Sequence, residues 1–154
     1  MSELVLNLSC VAIDGRALLI AGEAGSGKSS LALALIDRGA TLIGDDGVML
    51  EAREGQLLAS PPPRHSGLIE VRNVGLVGLP TTSAPCALAI MLTAFAVRLP
   101  EAPDITNYCG ISLPHIALFP ETPALPLRAE YALKQYGLRQ SPFSSLAHRP
   151  NRQG

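Results

Sequence analysis

The segment Gly22-Glu23-Ala24-Gly25-Ser26-Gly27-Lys28-Ser29 fits the pattern G-x-x-x-x-G-K-[ST]. It lies between the apolar run Ala17-Leu18-Leu19-Ile20-Ala21 and a second run that begins Ser30-Leu31-Ala32-Leu33. A strand must feed this loop and a helix must leave it. In that setting the glycines let backbone N–H groups turn inward around phosphate oxygens, and the helix brings its positive end to the same charge. Lys28 adds a cation and Ser29 offers a hydroxyl to Mg2+, with Ser30 completing the segment expected to contact a nucleotide. The chain has two lysines, Lys28 and Lys134, and its other positive charges are arginines. A plain glycine-rich turn requires neither the flanking elements nor the lysine, so the segment points to a nucleoside triphosphate.

The 154 residues fit one domain with a single well-buried core. Charged residues make up 16% and the formal net charge is -1. This balance lacks both the basic excess of a nucleic-acid binder and a membrane-seeking pattern, so the expected partners are small molecules or proteins. Cys10, Cys86 and Cys109 are odd in number and outside any C-x-x-C pair. They read as reduced, buried thiols of a cytosolic protein rather than a disulfide frame or zinc site. Glu3 and the lack of a basic lead argue against a secretory signal. The longest apolar stretch, residues 86–97, is much shorter than the roughly 20 residues a membrane span needs, and it reads as a buried strand.

Residues 8–13 and 17–21 flank Asp14-Gly15, a dipeptide suited to a tight hairpin. Residues 28–38 predict a helix that Gly39 ends, followed by a short buried strand over 40–44. A second hairpin is expected around Glu54-Gly55. After Pro61-Pro62-Pro63 the strand pattern resumes at 68–71. On apolarity alone residues 87–94 fit a strand or a helix, while Pro114 makes 111–119 extended. Residues 127–136 have helical spacing, with Leu127, Tyr131 and Leu133 or Ala132 available for one face. The expected architecture is α/β, a mixed, strand-rich sheet with one central helix and another near the C-terminus. Residues 1–139 form the domain, and 140–154 are expected to be a flexible tail.

Phosphoryl transfer needs oxygen ligands for a metal, a group to receive the acceptor's proton, and positive charge. Asp45-Asp46 follows the apolar run Thr41-Leu42-Ile43-Gly44, which can carry an acid to the mouth of a nucleotide site. The pair also suits a solvated turn. Its two side chains face opposite ways unless the chain bends. Glu70 and Arg72 share one face of a strand and read locally as a surface pair, and Arg98 reads as a single exposed arginine. His65, His115 and His148 have no metal-ligand spacing.

Taken in order, Gly-Ser-Gly-Lys-Ser, the helix ending at Arg38-Gly39, Asp45-Asp46 and Glu70-Val71-Arg72 resemble the catalytic domain of HPr serine kinase/phosphorylase, across roughly residues 8–118. The resemblance implies the P-loop fold of that family, which is like that of PEP carboxykinase. It also implies ATP and Mg2+ as cofactors, and a serine of the phosphocarrier protein HPr as acceptor in the phosphotransferase system. By position it implies that Asp46 is the catalytic acid/base, Ser29 and Glu70 are Mg2+ ligands with Asp45 near the metal and its waters, Lys28 is the phosphate cation and Arg98 is a catalytic arginine. A homo-oligomer is implied, the family's being a hexamer.

Three departures stand out. Asn7 occupies the place of the family's usual histidine, residues 119–127 lack the arginine of a loop linked to dephosphorylation, and the chain is expected to be the short form, the catalytic core without the separate N-terminal domain of long family members. Two other readings keep the loop: a small-molecule kinase, and a nucleotide-sensing module without catalysis. No base-reading Asn/Thr-Lys-x-Asp motif of a regulatory GTPase is present.

Overall fold

The structure, a computed structural model, describes residues 2–139. The expected tail, 140–154, lies outside the described residues. The chain starts with β1 (Ser2–Leu6), an edge strand that the sequence pattern did not announce because it is mostly exposed on both faces. β2 (Ser9–Ile13) and β3 (Arg16–Gly22) form the hairpin expected around Asp14-Gly15. Both turn residues have positive φ, 51° and 80°, as a two-residue turn that follows the strands' twist requires. Helix α1 (Lys28–Asp37) follows, then β4 (Thr41–Gly44). Gly39 N–H bonds to Ile36 C=O and Ala40 N–H to Leu35 C=O, each at 3.0 Å, so the helix ends in a Schellman motif with Gly39 at φ 113°.

β5 (Gly47–Arg53) and β6 (Gln56–Ser60) form the second expected hairpin. β7 (Leu68–Val71) and β8 (Gly75–Gly78) make a separate two-stranded sheet. β9 (Ala84–Leu92) resolves the ambiguity over 87–94 in favour of a strand, buried along nearly all its length. β10 (Asp104–Tyr108), β11 (Ile111–Leu118) and α2 (Leu125–Tyr136) complete the fold. Pro114 is tolerated in β11 because pairing with β9 begins only at His115. The mixed, strand-rich α/β arrangement expected from the sequence is the one that forms.

The nine-stranded sheet runs β1-β5-β6-β9-β3-β2-β4, with β11 also on β9 and β10 on β11. β9 is the pivot: Ala84 and Pro85 pair with β6, whereas the rest pairs in parallel with β3 and β11. A bulge lets Ala17 face Cys86 while Leu18 faces Leu88. The extra residue, Ala87, reverses the alternation of the strand. Cys86 therefore joins the core formed with β5 and β6, around Leu19, Ile43, Leu50 and Leu57, whereas Ala87 and Leu88 join the core under the helices, around Leu18, Ile20, Leu31 and Leu35.

The helical face of α2 differs from expectation. Leu125, Ala129, Ala132 and Leu133 are buried, while Leu127 and Tyr131 are exposed. The helix begins two residues earlier than the sequence suggested, with Pro126 in its first turn. Spacings of four, three and one from Leu125 then define the inward stripe. Beyond α2, Leu138 N–H bonds to Ala87 C=O at 2.8 Å and Arg16 donates to Leu138 C=O at 3.0 Å, tying the helix end to the sheet.

All three cysteines are free, as expected, and Cys10 and Cys86 are buried, but Cys109 is only half-buried, against the expectation. Burial raises the Cys10 thiol well above its ordinary range, and burial followed by the charge of Cys109 pushes Cys86 up to about 12. Among the described residues no helix is long and apolar enough to cross a membrane. Strands β3, β4, β9 and β11 run in the same direction. Their carboxyl ends, Gly22, Gly44, Leu92 and Leu118, therefore lie along one edge, where α/β sheets bind ligands.

Candidate active site

The phosphate-loop segment crosses from β3 to α1 at this edge. Gly27, in left-handed backbone, precedes the helix, and no side chain caps the N-terminus or places an acid in its first turn. The first helical hydrogen bond runs from Leu31 N–H to Gly27 C=O at 2.9 Å. The N–H groups of Lys28, Ser29 and Ser30 ahead of it have no helical acceptor, and these residues line a cavity of about 360 Å3 with Ala24, Gly25 and Gly27. Lys28 is only 9% exposed, and its ammonium donates to the carbonyls of Gly22 at 2.8 Å and Glu23 at 3.0 Å. An ammonium has three donors, so one remains for an anion.

Asp45 and Asp46 line the same cavity. They do so together because the chain bends between strands: Asp46 adopts φ 59°, held where Asn7 N–H donates to its carbonyl at 3.3 Å. The turn also needs Gly44, since a Cβ there would collide with the Gly47 carbonyl. The Asp45 carboxylate is tied from three elements. Its Oδ1 accepts from Ser29 Oγ at 2.6 Å and from Ser9 Oγ at 3.0 Å, and its Oδ2 accepts from the Glu70 N–H at 3.1 Å. Glu70 reaches the cavity from β7, whose Ile69 is buried in the core under α1, whereas Arg72 reaches it from the turn after β7 and so does not share a strand face with Glu70 as the sequence suggested.

The structure thus brings together Lys28, Ser29, Ser30, Asp45, Asp46 and Glu70 from the sequence-derived set, with Ala24, Gly25 and Gly27 of the loop. Gly22 supplies a carbonyl to Lys28, Glu23 supplies another and is exposed, and Ser26 Oγ is buried without a partner among the described residues. Arg98 stands apart. It is exposed in the segment after β9 and lines a different cavity with Arg128 and Tyr131. Reading the sequence alone missed Ser9 as part of the site and gave Arg72 no role. A single serine opening an apolar run was the available signal for Ser9.

Residues 2–83, more than half of the chain, match the model of the HPr Serine kinase C-terminal domain. The chain belongs to that family. Among HPr kinase/phosphorylase sequences, that of Clostridium tetani is 45% identical over 71 residues, covering 46% of this chain and 23% of that protein. That of Clostridium perfringens strain SM101 is 36% identical over 89 residues, covering 58% and 28%. The aligned part spans about a quarter of the length of these curated relatives. The solved Hpr(Ser) kinase/phosphatase from Coxiella burnetii superposes with a TM-score of 0.75 at 27% identity, covering 98% of this chain and 97% of that one. The HPr kinase C-terminal fold therefore extends through the described chain, beyond the segment that the family model matches.

The donor set of this HPr kinase domain suits a magnesium nucleotide. Its candidate metal ligands are all oxygens: one hydroxyl and two carboxylates, at Ser29, Asp45 and Glu70. Among the described residues no group of three or more His, Cys, Asp and Glu side chains could cage a metal. A hard cation that keeps waters and shares its coordination with phosphates needs only one or two protein oxygens. The orphaned hydroxyl of Ser26 fits a loop that closes on a polar ligand.

Proposed function

We propose that this chain is an ATP-dependent kinase that phosphorylates a serine hydroxyl of an HPr-type phosphocarrier protein. The observation that carries the reading is one cavity lined together by Lys28 and the first residues of α1 and by Asp45, Asp46 and Glu70. Family membership and the names of the similar proteins supply the acceptor.

In this reading the N–H groups of residues 24–30 and the Lys28 ammonium bind the phosphates of ATP. Positive charge fixed there before the reaction stabilises the charge that spreads over the transferred group. Bound Mg2+ would neutralise phosphate charge, held through Ser29 and Glu70 with Asp45 beside it. Ser29 donates its one proton to Asp45, which leaves its lone pairs for the cation. Asp46 receives the proton of the incoming serine hydroxyl, a task set by reach more than by an elevated pKa. In support, Asp46, in left-handed backbone, is among the residues that line the cavity.

Arg98 fits this scheme through its loop, which leaves β9 at Leu92, the residue that pairs with Gly22 at the start of the phosphate loop. It supplies transition-state charge after that loop moves toward the phosphates. The remaining proposals are a homo-oligomeric assembly and a cytoplasmic location, with little reverse activity because 119–127 has no arginine.

The test is incubation of the chain with ATP, Mg2+ and an HPr-type protein, followed by mass spectrometry of the acceptor. Phosphate on one serine, absent when that serine is replaced by alanine, is the expected result. An acceptor left unmodified while ATP is bound would reduce the chain to a nucleotide-sensing module.

A further inference from the structure

Ser9, at 1% exposure, and Lys28, at 9%, are polar residues buried as a whole, and both border the same cavity. Lys28 belongs to the phosphate loop; Ser9 belongs to no motif. It opens β2, where its neighbours Leu8, Cys10 and Val11 are all buried. A hydroxyl at such a position needs a partner, and Ser9 Oγ has one in Asp45 Oδ1 at 3.0 Å. The same oxygen takes the proton of Ser29 at 2.6 Å. Asp45 itself sits in a turn just after β4, followed by a residue in left-handed backbone, so its carboxylate is fixed largely by what donates to it.

We infer that Ser9 is a positioning residue of the cation site: it anchors Asp45 from β2 so that Asp45 orients the Ser29 hydroxyl toward the metal accompanying the nucleotide. Ser9 touches neither substrate nor metal and acts through Asp45. The inference rests on the reading of the cavity as a magnesium-nucleotide site. A purely architectural Ser9, tying β2 to the turn after β4, would instead affect stability alone.

Titration of the full chain with ATP, once in Mg2+ and once in EDTA, separates the two. Ser9→Ala is expected to weaken binding in Mg2+ about tenfold, the scale of one lost hydrogen bond to a charged group, and to leave binding in EDTA within about twofold. Ser9→Thr, which keeps the hydroxyl, should bind like the wild type. In an Asp45→Ala background, which removes the acceptor oxygen, Ser9→Ala should add nothing further. The inference is overturned if Ser9→Ala lowers only the melting temperature, if its penalty is the same in EDTA, or if the penalty adds in full to that of Asp45→Ala. A wild-type chain whose ATP affinity ignores Mg2+ would instead remove the cation site itself, and with it any role for Ser9 there.

Discussion

A methyl group at position 44 would collide with the carbonyl of Gly47, and the residues between them are Asp45 and Asp46. Gly44→Ala should therefore cost about 1–3 kcal/mol of stability, the usual scale of overpacking. It should also displace both carboxylates from the cavity. Urea unfolding measures the first effect, and ATP titration in Mg2+ reports the second through Asp45. A variant as stable as the wild type would show that the turn is looser than its geometry implies. At this scale the sequence made visible those residues whose chemistry comes with a local frame: Lys28 and Ser29 at fixed offsets from glycines, Asp45-Asp46 after a buried strand, Glu70 on an alternating strand. Ser9 had no such frame, because its partner is 36 residues away in sequence. Arg98 had none either, and nothing in a linear pattern indicates that its loop turns toward Arg128 and Tyr131 instead of the phosphate loop.

The elements were legible where termination signals are local. Both hairpin turns carry positive φ at the two positions the sequence offered, and α1 stops where Gly39 allows the Schellman bonds. Gly39→Ala should destabilise the chain by about 1–2 kcal/mol, since a Cβ disfavours left-handed backbone, and a shift of the urea midpoint at unchanged slope would register it. No shift would mean that the helix end can re-form with ordinary backbone. Elements whose position depends on distant partners were not legible. β1 is stabilised by its ladder to β5, not by a buried face. The reversal of inward and outward positions in β9 comes from the bulge opposite Ala17 and Leu18. The buried stripe of α2 follows from a start at Leu125, which Pro126 obscures in a periodicity count. The Arg38–Glu130 pair at 2.9 Å links the two helices, but an exposed pair of this kind contributes little.

Over the whole molecule, the sheet's curl about β9 leaves two cores, and the one without helices holds Cys10 and Cys86. Folding keeps the Cys86 thiol protonated up to about 12, whereas an ordinary thiol titrates near 9.0. The folded chain thus binds more protons than the unfolded chain between those values. Stability is undiminished below the lower value and falls as pH rises through the interval, by up to about 1.4 kcal/mol per pH unit for each such group. Cys10 acts in the same direction. Denaturant titrations at neutral and increasingly alkaline pH should show this decline, and a flat profile would mean that both thiols ionise as freely folded as unfolded. The edge where β3 and β4 end holds the cavity of Lys28, Ser29 and Asp45, where we propose that Asp46 takes the acceptor's proton while the loop and metal ligands hold ATP. Single-turnover phosphate transfer from ATP to the HPr-type serine, compared between wild type and Asp46→Asn with ATP affinity measured alongside, tests this most directly. Transfer should slow by about 10²- to 10⁴-fold with affinity nearly unchanged; equal transfer rates in the two proteins would contradict Asp46 as the proton acceptor.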